Sequence, residues 1–398
     1  MKKGVFLIAS LFLVFISFGQ SIIYVSKDGN NSDGSSWTNA YTNLQTALNS
    51  SVSGDKILVA NGVYTPHASD RTVSFKMKAG VKVYGGFAGT EDPITNEVYR
   101  NRDFEINETV LSGDLNKDDL TGGDNSENSY TVVHFDAGSA QIDQQTILDG
   151  FTVSGGNSDD EADWSEKKYG GGIFFEPASS KDCAPVLQNL IIKDNEAFNG
   201  AGVYVYTIGN VNASTSPEFY NVIFLNNYAS DTYGTGGAAF VRSSENNPTS
   251  PKFVNCLFNN NTAMSSGGAV YILANGVNRN TTASFTNCTF INNKGIYVEN
   301  SQVYNTAQNS GNCTVYYNNC IVWGLTGNLH FMNFVSEGGT LSTNVSNSLI
   351  KGSGGTKNWN TDYGIDGGGN KDEDPNFIDL QGDDLATGTL DDNLHVQE

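Results

Sequence analysis

The chain has 398 residues, 44 of them glycine and only 8 proline, with 38% hydrophobic and 16% charged residues and a formal net charge of -21. That is too long for one ordinary compact core and too apolar for disorder. Acidic residues number 43 against 22 basic ones, which excludes a nucleic-acid partner, because meeting phosphates takes clustered Lys and Arg.

The first element is MKKGVFLIASLFLVFISFGQ, residues 1–20, with Lys2 and Lys3 ahead of an apolar run from Val5 to Phe18. This is the layout of a cleaved secretory signal peptide, and the run is short for a spanning helix. The mature chain is expected to start near Ser21 with no transmembrane segment. Residues 21–54 are expected to form an N-terminal cap. Leu44, Ala47 and Leu48 fall at i, i+3 and i+4, one helical stripe, while Trp37 and Tyr41 shield the edge. Ile57, Val59 and Val63 then start the first strands.

The loop GDLNKDDLTGGDN, residues 113–125, spaces Asp114, Asn116 and Asp118 two apart. In a curled loop they present three oxygens to one cation, as in the first half of an EF-hand-type loop, so structural Ca²⁺ is the candidate ligand. The match is partial: position 6 is Asp119 rather than Gly and position 12 is Asn125 rather than Glu. An ordinary solvated acidic loop is the competing reading. Asp159, Asp160 and Glu161 in GNSDDEADW form another acidic cluster, expected to be a solvated loop between coils.

From residue 170 onward the chain repeats. NLII at Asn189, NVIF at Asn221, NCLF at Asn255, NCTF at Asn287, NCIV at Asn319 and NSLI at Asn347 recur in steps of 32, 34, 32, 32 and 28 residues. A second column, Asn195, Asn227, Asn261 and Asn293, keeps step with it. Glycine-rich elements follow at Gly200–Val203, Gly236–Ala239 and Gly267–Val270, and Gly170–Ile173 precedes the series. A period of this size signals a solenoid in which neighbouring units bury a shared core. If each unit is one coil of a right-handed parallel β-helix over residues 55–385, equivalent residues stack about 4.8 Å apart. Phe224, Phe258 and Phe290 then form an internal ladder, with Ala238 and Ala269 small enough to sit beside it. The Asn195 column hydrogen-bonds from coil to coil at a corner and takes the left-handed backbone that a corner demands.

Five cysteines are present, and Cys256, Cys288 and Cys320 share one column. Parallel stacking at about 4.8 Å disfavours disulfide geometry, so free buried thiols are expected. No CxxC pair points to a metal site. His67, His134, His330 and His395 lie in unrelated contexts and are expected to be ordinary core or surface residues. Asp366, Asp372 and Asp374 in GIDGGGNKDEDPNF make a second, weaker acidic loop, and residues 386–398 are a tail. Ending at LHVQE without a sorting domain, the chain is expected either to be released or to continue into a further C-terminal region.

The pairing of GGAV at Gly267 with FNNN at Phe258 resembles the polymorphic outer-membrane-protein repeat family, over roughly residues 170–350. The segments IYVSKDGNNSDGSSWTNAYTNLQTAL, DKILVANGVYTP, VKVYGGFAGTE, TVLSGD and LDGFTVSGGN resemble the N-terminal module of bacterial secreted right-handed β-helix proteins of the pectin-lyase-like superfamily. The resemblance implies an all-β solenoid and a place outside the cell or on a bacterial outer-membrane surface. It leaves function open, because lyases, hydrolases and adhesins share that fold. Lyases on the fold use a Lys or Arg base with Ca²⁺ beside the substrate carboxylate. Lys193, Arg242, Lys252, Arg279 and Lys294 are the cations of the repeats, and none sits in a recognisable acid, base and metal cluster. The sequence therefore favours a non-enzymatic, monomeric surface or secreted protein that binds an extracellular glycan or protein. The alternative is a polysaccharide lyase or hydrolase acting on an acidic glycan.

Overall fold

The computed structural model describes residues 20–92, 94–160, 166–206, 212–297, 301–324, 330–384, 387 and 389–396. The leader expected at 1–20 lies outside the described residues apart from Gln20, as do Glu161 and part of the 386–398 tail.

The period seen in the sequence becomes one turn of a parallel β-solenoid. In one coil the chain passes through Val186–Lys193, Glu196–Ala197 and Val203–Tyr206; in the next it passes through Glu218–Leu225, Tyr228–Ala229 and Ala239–Arg242. Each piece pairs in parallel with its equivalent, as Ile192 with Phe224, Ala197 with Ala229 and Val203 with Ala239. The stacked pieces make sheets of eighteen, eight and five strands. One hydrophobic core runs through the solenoid from Val25 to Tyr363.

Phe224, Phe258 and Phe290 are fully buried and stack face to face at 4.7 and 4.6 Å. Beside them is a second ladder, absent from the sequence-based expectations: Phe219, Phe253, Phe285 and Tyr317, stacked at 4.7, 4.8 and 4.9 Å. The two columns meet edge to face, as Phe219 against Phe224 at 5.9 Å and 62°. Stacking within a column and T-contacts between columns both suit the ring quadrupole, and each buried ring contributes roughly 2 kcal/mol or more.

The corners divide the labour between neighbouring residues in a way the sequence reading did not foresee. The buried Asn195, Asn227, Asn261 and Asn293 make the coil-to-coil side-chain bonds, while the residues just before them, Asp194, Asn226, Asn260 and Asn292, take the left-handed backbone. The other Asn column, from Asn189 to Asn347, is left-handed at every position. Positive φ there turns the strand between its two halves, and Asn tolerates it best among residues with a Cβ. At Gly268 a Cβ would stand 2.2 Å from the backbone of Lys294, so only glycine allows the coils to approach.

The helix Leu44–Ser50 starts at Asn43, whose side chain accepts from Thr46 N, and buries Leu44, Ala47 and Leu48. It packs against Ile22–Val25, Lys56–Ala60 and Phe75–Met77. Ile22–Val25 pairs in parallel with Lys56–Ala60, so the long sheet begins inside residues 21–54. Trp37 packs on Tyr24 and Phe87. Ile57 and Val59 point inward, whereas Val63 points out and is 45% exposed. Pleat alternation puts Tyr64 inside instead.

All five cysteines are free and buried. Cys256, Cys288 and Cys320 donate weakly to the carbonyls of Phe219, Phe253 and Phe285 in the preceding coil. Burial pushes the Cys288 and Cys320 thiols well above their ordinary range, which makes them inert. One buried ion pair fixes the first coils: Arg102 meets Asp149 at 2.7 Å, with 4% and 3% of the side chains exposed. Past the last parallel strand, Phe377–Asp379 and Asn393–Val396 form an antiparallel pair, and Asn259 reaches Asp392 beside it at 3.1 Å.

Candidate functional site

Outward residues of four neighbouring strands floor a groove on the long sheet. Val63 pairs with Val110, Val110 with Thr152, and Thr152 with Ile191. Two residues along, Ser112, Ser154 and Lys193 form a parallel column. Later coils carry Leu225, Asn259, Ile291 and Trp323 at the Lys193 position. A lysine there breaks the column, and that break was the available sequence signal for it.

The loop that walls the groove leaves the strand at Ser112. Gly113 presses so closely on Gly155 that a Cβ would lie 2.2 Å from its carbonyl oxygen, and the chain then turns at Asp114. Asp114 accepts from the backbone N–H groups of Lys117, Asp118 and Asp119, curling the loop around its own carboxylate. Lys117 holds the left-handed position, with φ 64°. The return segment brings Glu127 back, and Asn128 donates to Asp119 at 2.9 Å. Arg71 pins this segment by donating to Asn128 O, Asn157 O and Asp159.

The result gathers Asp114, Asp118, Asp119 and Glu127 with one oxygen each within 4.8 Å of the others. Asp118 Oδ1 and Glu127 Oε1 are buried with no hydrogen-bond partner. Burial pushes the Asp119 carboxyl above its ordinary range, and the charges of Asp114, Glu127 and Asp118 push the same way against the Asn128 hydrogen bond. An all-oxygen, part-buried set of carboxylates suits a hard divalent cation such as Ca²⁺.

Of the expected set, Asp114 and Asp118 are in this cluster, and Asn116 is exposed. The EF-hand numbering does not carry through. Asp119, at the position where the motif has Gly, stands among the carboxylates; Asn125 turns away to donate to Glu196 at 2.9 Å; and Glu127 arrives from beyond the motif. A short-range spacing rule could not find Glu127, because the return of the loop brings it in. Lys193, like the other cations of the repeats, was expected to sit in no recognisable acid, base and metal cluster. Lys193 lines the same groove, of about 340 Å³, as Glu108, Asp114, Asp119 and Asp194. Its Nζ lies 3.9 Å from Asp194 Oδ2.

The other candidates lie outside this cluster. Asp159 pairs with Arg71 at 2.7 Å. Asp372 accepts from Gly352 N and Gly354 N, and Asp366 from Gly368 N and Asn370, so both bind backbone turns. His67 accepts from Ser69 N and Asp70 N, His134 contacts Glu176 at 2.9 Å, and His330 is buried beside Gln302.

No protein-family model and no curated protein matches the sequence. Six solved chains are similar, and two of them are as follows. The crystal structure of pectate lyase Pel9A superposes with a TM-score of 0.48 at 15% identity, covering 96% of this chain and 88% of that one. A rhamnogalacturonan lyase gives 0.34 at 12% identity, covering 83% and 68%. Among the described residues no helix is long and apolar enough to cross a membrane.

Proposed function

We infer that the protein is a polysaccharide lyase that cleaves an acidic glycan by β-elimination in the groove between Lys193 and the Asp114 loop. The single observation that carries this reading is an outward groove lined by Lys193 together with Asp114 and Asp119, two members of the four-carboxylate cluster. Opposite charges side by side suit a uronic acid unit, whose carboxylate needs a positive partner and whose adjacent carbon needs a base.

Asp114, Asp118, Asp119 and Glu127 would hold a divalent cation, most simply Ca²⁺, and this cation supplies charge neutralisation for the sugar carboxylate. Lys193 takes the proton from the carbon bearing that carboxylate on its Nζ. The electron pair left behind forms the double bond to the next carbon, the glycosidic C–O bond there breaks, and the departing oxygen takes a proton from water. Ser112 and Ser154 stand in the column beside Lys193 and are placed to orient hydroxyls of the sugar. The protein is exported through the leader at 1–20 and acts outside the cell as a monomer.

A second reading, binding without cleavage, rests on the exposed carboxamide ladder from Asn189 to Asn319, a flat repeating face for a glycan or protein surface. Incubation with polygalacturonate and Ca²⁺ separates the two. Elimination yields unsaturated chain ends that absorb in the ultraviolet. Binding to the polymer with no such absorbance, for any uronate polymer tried, removes the lyase reading.

A further inference from the structure

The groove just described is bordered by carboxylates, as are two pockets near the C-terminal strand pair, which carry Asp391 and Asp392 or Glu373 and Asp374. A smaller cavity of about 190 Å³ has the opposite character. It opens on the outward side of the eight-stranded sheet, where Lys76 pairs with His134 and His134 with Phe174 in consecutive coils. Lys76, Lys167 and His134 line it together with the hydroxyls of Ser74 and Thr131 and the rings of Tyr130 and Phe174, and no carboxylate lines it. In a chain of net charge -21, that composition is selective for a negative ligand.

The cavity is built on rigid parts. Phe174, Ser74 and Thr131 are buried, and Lys76 and His134 stand on paired strands. Arg71 lies 4.3 Å and Lys167 5.3 Å from the centroid of the Tyr130 ring. His134 is oriented by Glu176 at 2.9 Å. A cavity below the roughly 300 Å³ of drug-sized sites takes one small unit, and a ring face beside hydroxyls and ammonium groups is the complement of a sugar that carries one anionic group.

We propose that this cavity is a second, cation-independent site that binds a carboxylate-bearing sugar unit through Lys76 and Lys167, with the sugar ring against Tyr130. It lies on a different sheet from the Lys193 groove and does not depend on elimination there. Calorimetric titration with a short oligogalacturonate in excess chelator tests it. The unmodified protein should bind under these conditions, Lys76→Glu should weaken binding by about tenfold or more, and Asp114→Asn with Asp118→Asn should leave it unchanged. Because Lys76 is exposed, its replacement leaves the core intact. A neutral oligosaccharide binding equally well, a sulfated one binding in place of the uronate, or no binding in chelator would each overturn the assignment. Elimination in the Lys193 groove would be untouched by any of these results.

Discussion

Asn261 donates through Nδ2 to Asn293 Oδ1 at 2.8 Å, and both carboxamides are buried. The same bond joins Asn195 to Asn227 and Asn227 to Asn261, and the line ends on Gln302. The exposed ladder runs the other way: Asn319 donates to Asn287, Asn287 to Asn255, Asn255 to Asn221 and Asn221 to Asn189. Two hydrogen-bonded lines of opposed direction therefore flank each second half-strand. Asn261→Ala leaves the backbone N–H of Asn227 and the carbonyl of Phe224 without their buried partners. A loss of about 3 kcal/mol or more in denaturant unfolding is expected, since each orphaned buried group costs roughly 1–3 kcal/mol. Asn255→Ala, on the exposed line, should cost much less.

Phe258→Ala removes a ring that stacks between Phe224 and Phe290 and meets Phe253 and Phe285 edge-on. The expected cost is about 3 to 5 kcal/mol, because parallel strands on both sides prevent collapse into the gap. Phe285→Ala should cost a similar amount. An unchanged melting temperature for either would place that ring outside the core.

His330 gives the fold a pH dependence. Burial, with Lys351 nearby, lowers its imidazole from 6.5 to about 4. Between these values the unfolded chain takes up a proton that the folded chain refuses, so stability is full above 6.5 and declines as pH falls toward 4. The loss is on the order of 3 kcal/mol. Urea unfolding across that window should show the decline, and His330→Gln should flatten it.

Much of this architecture was legible because a solenoid writes its register into the sequence. The period, the Phe258 column and the free cysteines follow from stacking of like residues, and the helix at Leu44 follows from its i, i+3, i+4 stripe. The Phe219 ladder was equally available, five residues ahead of the first at each step, but its last member is Tyr317 and the segment lacks the Asn marker. The corner was harder. Sequence shows two adjacent polar residues, and only backbone geometry decides that Asn260 turns the chain while Asn261 bonds to the next coil. The site was half legible. Asp114 and Asp118 lie in one motif, whereas Glu127 and Lys193 come from a loop return and from two coils further along.

The carboxylate cluster predicts a measurable response to cation. Four carboxylates crowded together repel one another, and a cation that binds only the folded state stabilises it by mass action. Melting should rise with Ca²⁺ and fall with chelator, and Asp114→Ala with Asp118→Ala should abolish the shift while leaving the fold intact. Absence of both binding heat and a melting shift would make this an ordinary acidic loop.

Lys193 carries the most direct test. Elimination of polygalacturonate by the Lys193→Ala protein should be followed by ultraviolet absorbance at saturating Ca²⁺, alongside calorimetric binding of an oligogalacturonate to the same sample. Lys193 is a half-buried residue pointing out of the sheet, so its loss should spare the fold. Binding is expected to persist while the rate falls by at least about a hundredfold, the contribution typical of a general base. Elimination at an unchanged rate in Lys193→Ala would contradict the assignment of this groove as the active site.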